Sequence, residues 1–189
     1  MNNRLTILVD WDDVLNDLMP KALEMLNASR GTSYTLESFP EFDFSKYLPE
    51  ADSNALHTLF LSNDLWKALR PTNGSQETLK RMMEDGHEVL IVTSTHFSNI
   101  AWKMEWLERY FPFVRWDQVI VTSRKDKVRG DWLIDDNPHH IKRHPYGRVC
   151  IDKPWNRWLN DDVYDIIRVK NLSEAYAAIL ERESQQEIE

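Results

Sequence analysis

The chain has 189 residues, 42% hydrophobic and 29% charged, which suits one large domain or a core with an inserted cap. A formal net charge of -8 argues against a broad nucleic-acid polymer surface or an anionic membrane as partner, although a metal and lysines can reverse the sign locally for a small anion. The lone Cys150 excludes an internal disulfide framework and reads as a buried thiol in an apolar run.

Leu5-Thr6-Ile7-Leu8-Val9 reads as a buried strand of a parallel sheet, and it runs straight into Asp10, Asp12 and Asp13. This short apolar run ends in acids, unlike a secretory leader, and no segment has bilayer-spanning length, so a cytoplasmic setting is expected. Clustered carboxylates are costly to bury unless neutralised, and a divalent cation with oxygen ligands such as Mg²⁺ does this. Read alone, the same residues are a strand end in which Asp12 or Asp13 caps the helix starting near Val14.

That helix carries Leu18, Ala22, Leu23 and Leu26, with Pro20 expected to kink it or to start a second one, and Gly31 closing it. An aromatic loop follows, with Phe39, Phe42, Phe44 and Tyr47. Asp52 or Ser53 is expected to cap the next helix, and Asn63 or Asp64 a short turn through Trp66. No strand alternation is visible between residues 14 and 71, so this stretch reads as a helical insertion.

From Gly74 the pattern changes. Ser75 is expected to cap a helix ended by Gly86, followed by a strand over residues 88–93 that ends in Thr93-Ser94. Ser98 should cap a helix bearing Ile100, Met104, Leu107 and Phe111. Strands follow at 119–122, 132–134 and 148–151, with an edge strand around 166–169. The fourth strand again runs into acids, Asp135-Asp136. Ser173 should cap a last helix, and the polar stretch 183–189 is expected to fray. Strands alternating with helices predict an α/β fold with a doubly wound, mostly parallel sheet. The expected division is a core of residues 1–14 and 72–189 with a helical cap of residues 15–71.

The predicted strand ends collect acids for a metal, hydroxyls for phosphate oxygens and an amine from Lys125 or Lys127. His96, His139, His140 and His144 have no cysteine partners and do not read as a zinc set.

In this order the motifs resemble those of the haloacid dehalogenase superfamily of phosphohydrolases: Asp10-Trp11-Asp12, then Thr93, a lysine, and Asp135-Asp136. Val92-Thr93-Ser94, Lys103-Met104-Glu105-Trp106 before Tyr110-Phe111, and Leu133-Ile134-Asp135-Asp136 are similar to the 5'(3')-deoxyribonucleotidases within it, over most of residues 5–138. Asp13 departs from that group, where glycine is common. Lys125 keeps the family's spacing to the acidic pair and is preferred to Lys127.

The resemblance implies a Mg²⁺-dependent phosphomonoesterase acting on a nucleotide. Asp10 would be the nucleophile and Asp12 the proton shuttle. Asp10, the Asp12 carbonyl and a member of the Asp135-Asp136 pair would hold the metal. Thr93, Ser94, Lys103 and Lys125 would hold the phosphate, and Phe39, Phe42, Phe44, Tyr47 and Trp66 are candidates to meet a flat nucleobase. A homodimer stays open. Rival readings are a phosphatase of sugar phosphates, a phosphoacceptor signalling module, which the insertion speaks against, and a nucleotide-binding protein without turnover.

Overall fold

A computed structural model describes residues 4–186. The elements in chain order are β1 (Thr6–Val9), α1 (Leu18–Arg30), α2 (Glu50–Phe60), α3 (Asn63–Ala68), α4 (Ser75–Glu84), β2 (Glu88–Thr93), α5 (Ile100–Tyr110) and β3 (Val119–Val121). The chain continues through β4 (Trp132–Asp135), α6 (Pro138–Arg143), β5 (Gly147–Ile151), α7 (Asp161–Tyr164), β6 (Ile166–Val169) and α8 (Leu172–Gln186). Helix α8 includes residues 183–186, expected to fray; residues 187–189 lie outside the described residues.

The six strands form one sheet in the order β3-β2-β1-β4-β5-β6, every neighbouring pair parallel. The chain moves outward from β1 through β2 and β3, then returns to β4 and moves the other way. The order therefore reverses between β1 and β4, and the crevice beyond their carboxyl ends is where such sheets bind ligands. Both faces are covered. Ile7, Val9, Val89, Ile91 and Ile134 belong to one apolar cluster, and Leu8, Val92, Leu133 and Cys150 to another on the opposite face. This explains why the strands read as continuous apolar runs rather than alternating ones. Cys150 is free and buried in β5, and burial pushes its thiol well up.

The stretch between β1 and α4 is helical, without a strand among the described residues. Its Phe39, Leu56, Leu65 and Trp66 join the larger cluster on the sheet. Its two ends are fastened together: the Thr72 N–H and hydroxyl donate to the Leu15 and Val14 carbonyls at 2.9 and 2.7 Å. No helix among the described residues is long and apolar enough to cross a membrane.

Several helix starts differ from the expected ones. Helix α1 begins at Leu18, not Val14, because residues 11–16 form a tight turn closed by the Leu15 N–H on the Trp11 carbonyl. Pro20 thus sits in the first turn, where its missing N–H has no helical acceptor to lose. Asp52 lies inside α2, buried between Arg30 Nε at 2.8 Å and Tyr34 Oη at 2.7 Å, and α2 starts after Pro49. The Ser62 hydroxyl caps α3, ahead of Asn63. Gly74 precedes α4, and the Ser75 hydroxyl turns back to the Thr72 carbonyl. Helix α5 begins at Ile100 after Asn99, and the Asn171 side chain receives the Glu174 N–H of α8.

Asp13 combines two roles. Its φ of 58° lies in the left-handed region, which Asp tolerates better than most residues. Its carboxylate accepts the Met19 N–H at 3.0 and 3.2 Å, while Asp17, next to α1, makes no capping bond. Asp13→Gly loses the cap but relieves the backbone; Asp13→Ala loses the cap and keeps the strain. Urea titration should find the alanine variant about 1 kcal/mol less stable than the glycine variant. Equal stability would show that the turn relaxes.

His144 is fully buried, and neither of its ring nitrogens has a partner. Burial, helped by Arg148, pushes its pKa down from 6.5 to about 4. The unfolded chain therefore binds the extra proton between those values. This contribution to stability is complete above pH 6.5 and is lost as pH falls toward 4. His144→Phe should flatten the drop in melting temperature between about pH 7 and about pH 5; identical slopes for the two proteins would refute this.

Candidate active site

Parallel pairing aligns Val9 with Ile134, so the residues that follow, Asp10 and Asp135, emerge side by side. The Asp10 N–H donates to the Ile134 carbonyl at 2.8 Å, extending the ladder one residue past β1. Lys125, in a turn after β3, inserts its ammonium between them, 2.5 Å from Asp10 Oδ1 and 2.7 Å from Asp135 Oδ2. Asp135 Oδ2 also meets His140 Nδ1 at 3.1 Å, and its Oδ1 accepts the Asn137 N–H at 2.8 Å. Asp136 is held from the other side: its Oδ2 accepts Trp155 Nε1–H at 3.0 Å and its carbonyl accepts Asn156 Nδ2–H at 2.8 Å.

Oxygens of Asp10, Asp135 and Asp136 lie within 4.8 Å of one another. Burial, then the Asp135 charge, raises the Asp10 carboxyl to about 6 against the pull of Lys125. Burial also works against the charge of Asp135, but Lys125 and His140 outweigh it and hold that carboxyl well below the usual range. Asp136 is driven well above it by burial and by Asp13, Asp135 and Asp10. Asp13 is raised to about 7, chiefly by burial, with Lys153 and the Met19 N–H opposing. Carboxylates thus outnumber the ammonium among them. A cluster of hard oxygen donors with surplus negative charge fits a divalent cation.

Asp12 faces elsewhere. Its Oδ2 lies 2.6 Å from Lys103 Nζ, and its Oδ1 accepts Asn16 Nδ2–H at 3.3 Å. Lys103 Nζ also donates to Thr93 Oγ1 at 2.8 Å. Burial lowers the Lys103 pKa, with Asp12 opposing.

These groups border a cavity of about 430 Å³. Of the expected site residues, Asp10, Asp12, Ser94, Lys125 and Asp136 line it, and Asp13 does so beside them. Thr93, Lys103 and Asp135 stand behind that wall, almost wholly buried. Lys127 is exposed and pairs with Asp126. Phe42, Phe44 and Trp66 line the cavity, whereas Phe39 and Tyr47 do not. Phe39 is fully buried, edge-on to Phe44 at 5.4 Å, and Tyr47 packs at the margin of the core. Both were candidates to meet a nucleobase, but they pack within the insertion and do not line the cavity.

Several lining residues escaped the sequence reading: His57 on α2, His96 and Asn99 beyond β2, and Asn137 and His140 beyond β4. Asn99 Nδ2 donates to the Phe60 carbonyl at 2.9 Å, joining the loop after β2 to the insertion. His140 had a signal, since five residues past Asp135 a short helix can turn back onto the strand end. Trp155 had none. It bridges Asp136 and the insertion, with Phe44 edge-on at 5.3 Å.

Comparison with known proteins agrees with this geometry. The model of the family described as "5' nucleotidase, deoxy (Pyrimidine), cytosolic type C protein" matches residues 3–185. The chain is 30% identical over 176 residues to the 5'(3')-deoxyribonucleotidase of Bacillus subtilis (strain 168), covering 92% of this chain and 98% of that one. The same identity and coverage hold for the 5'(3')-deoxyribonucleotidase of Bacillus phage SPbeta. Among solved structures, a haloacid dehalogenase-like hydrolase from Streptococcus pneumoniae superposes with a TM-score of 0.60 at 14% identity, covering 95% of this chain and 100% of that one. A HAD family hydrolase from Deinococcus radiodurans R1, solved with bound phosphate and sodium, gives 0.58 at 14% identity over 93% and 95% of the two chains. The fold is thus that of the haloacid dehalogenase hydrolases, and the chain belongs to the deoxy-type 5' nucleotidase family.

Proposed function

We propose that this protein is a Mg²⁺-dependent phosphomonoesterase that hydrolyses nucleoside monophosphates, as a 5'(3')-deoxyribonucleotidase. The observation that carries this reading is Asp10: a buried carboxylate at the cavity wall, one oxygen held by Lys125, within a cluster of acids suited to a cation. The aromatic wall from Phe42, Phe44 and Trp66 suits a nucleobase. Residues 15–71 then serve as a cap over a core of residues 1–14 and 72–189. The buried, unpaired Cys150 suits a reducing cytoplasm.

Asp10, Asp136 and the Asp12 carbonyl would hold the cation. Asp136 is favoured over Asp135 as the direct carboxylate ligand, because both oxygens of Asp135 already accept from Lys125, His140 and Asn137. Bound there, Mg²⁺ would offset charge on the phosphoryl oxygens. Asp10 attacks phosphorus in line, the bond to the sugar oxygen breaks, and that oxygen takes a proton from Asp12. Water then attacks the aspartyl phosphate and gives its proton to Asp12, releasing inorganic phosphate and restoring Asp10. Ser94 and Lys125 face the phosphoryl group, with Thr93 oriented behind them. Most of the rate comes from such positioning and charge stabilisation.

Phosphate release from a panel of nucleoside monophosphates and sugar phosphates, with Mg²⁺ or with chelator, tests the reading. Preference for sugar phosphates would move the substrate class, and no release would leave a binding protein. Asp10→Asn should abolish turnover in a folded protein; near parental activity in that variant would remove it as nucleophile. Asp12→Asn should stall turnover and accumulate phosphate on Asp10, read as an added mass on the intact protein.

Lys125→Met leaves buried acids without their counter-charge and should cost about 3 kcal/mol or more. Added Mg²⁺ should recover part of that in thermal melts. Lys127→Ala should change neither stability nor activity; a large loss there would reverse the choice between the two lysines.

A further inference from the structure

Lys103 is buried in the middle of α5, and its ammonium has no face on the cavity. Two of its protons go to Asp12 Oδ2 and Thr93 Oγ1, at 2.6 and 2.8 Å. The ammonium also lies 5.0 Å from the ring centroid of Trp11 and 5.0 Å from that of Trp66, within the range in which a cation is drawn to an aromatic face. Trp11 stands between the two catalytic aspartates in the sequence. Trp66 arrives from α3, on the insertion.

Both indole N–H groups are buried without a partner. An orphaned donor is unfavourable, and a phenylalanine would fill space without one. What tryptophan offers beyond phenylalanine is a stronger π-face for a cation. Trp106 makes the contrast. It packs 5.9 Å from Trp11, but its Nε1–H is satisfied by the Leu69 carbonyl at 3.2 Å, just past α3. One indole fastens the insertion to α5, and two others enclose the ammonium.

We propose that Trp66 is a positioning residue that acts through Lys103: with Trp11 it clamps the ammonium, and the ammonium aims the Asp12 carboxylate. With Oδ2 held by the ammonium, Oδ1, which meets only the Asn16 amide at 3.3 Å, is the oxygen left to pass the proton. Trp66 also lines the cavity, so a substrate seated against it touches the same ring that holds Lys103. Seating of the insertion and aim of the acid are thereby one event. This inference rests on Asp12 as the proton shuttle of a phosphomonoesterase.

The test compares a deoxynucleoside monophosphate, 2-deoxyribose 5-phosphate and p-nitrophenyl phosphate. The first two leave as alkoxides and need a proton; the third leaves without one. In the burst phase, which reads transfer of the phosphoryl group to Asp10 before water attacks, Trp66→Leu should slow release of the alcohol about tenfold for the first two and leave release of p-nitrophenol within about twofold. Trp66→Phe should recover part of the loss. In a Lys103→Met background, Trp66→Leu should cost nothing further, as expected when one residue acts through the other. A rise in KM confined to the nucleotide, with kcat on the sugar phosphate intact, would overturn the proposal and leave Trp66 as a stacking surface. Equal losses of burst rate on all three substrates would overturn it too.

Side-chain NMR of the ¹⁵N-lysine-labelled chain reads the clamp without turnover. The Lys103 ammonium protons should be shifted upfield by the two rings and move downfield in Trp66→Leu; an unmoved signal refutes the clamp. If the parental chain hydrolyses none of the three substrates, the phosphomonoesterase reading fails, and the NMR result still judges the contact.

Discussion

The fold depends on one ammonium group buried between two strand ends. Parallel pairing of β1 with β4 forces Asp10 and Asp135 into adjacent positions, away from bulk water. Two like charges about 4 Å apart at an effective dielectric near 20 repel by about 4 kcal/mol. That is a large share of the stability of an ordinary domain. Lys125 turns this repulsion into two attractions, and its own charge survives burial because Asp10 and Asp135 outweigh the desolvation. The core geometry of β1 and β4 is thus secured by the residue that leaves Asp10 oriented at the cavity.

Asp136 is the acid whose charge is left unmatched, and the protein treats it differently. It has no lysine at hydrogen-bond distance; its partners are an indole N–H and an asparagine amide. The indole is a neutral donor and fixes the carboxyl group without offsetting its charge, while the amide fixes the backbone beside it. The acid pair is therefore divided between one member committed to the fold and one left with electrostatic demand. The rings that enclose Trp155 come from the insertion, so the same contact that orients Asp136 also seats the helices above it.

The strands were legible because each is a short apolar run buried on both faces, and β1, β2 and β4 end at the chemistry the composition suggested. The doubly wound order followed from strand–helix alternation. Helix starts were less legible. Asp13 caps α1 from several residues away, Asp52 spends its side chain on Tyr34, and the Ser75 hydroxyl turns back to Thr72, so the nearest polar residue was a poor guide. Among the aromatic residues, composition could not separate Phe42 and Phe44 from Phe39, because the difference is only which side of one loop each ring takes. His140 and Trp155 matter through contacts that exist only once β4, β5 and the insertion have assembled.

The order of the sheet also governs how the chain can assemble during synthesis. Of the six strands β1 leaves the ribosome first, yet it is central, and its partners begin at Glu88 on one side and Trp132 on the other. At ordinary elongation rates that interval is on the order of ten seconds. Throughout it, a largely apolar strand ending in acids has no strand to pair with. The helices of residues 18–68 have local partners and can form in the meantime, offering Ile7 and Val9 an apolar surface to rest against. The segment that would roof the finished site would then also be the first shelter for its central strand.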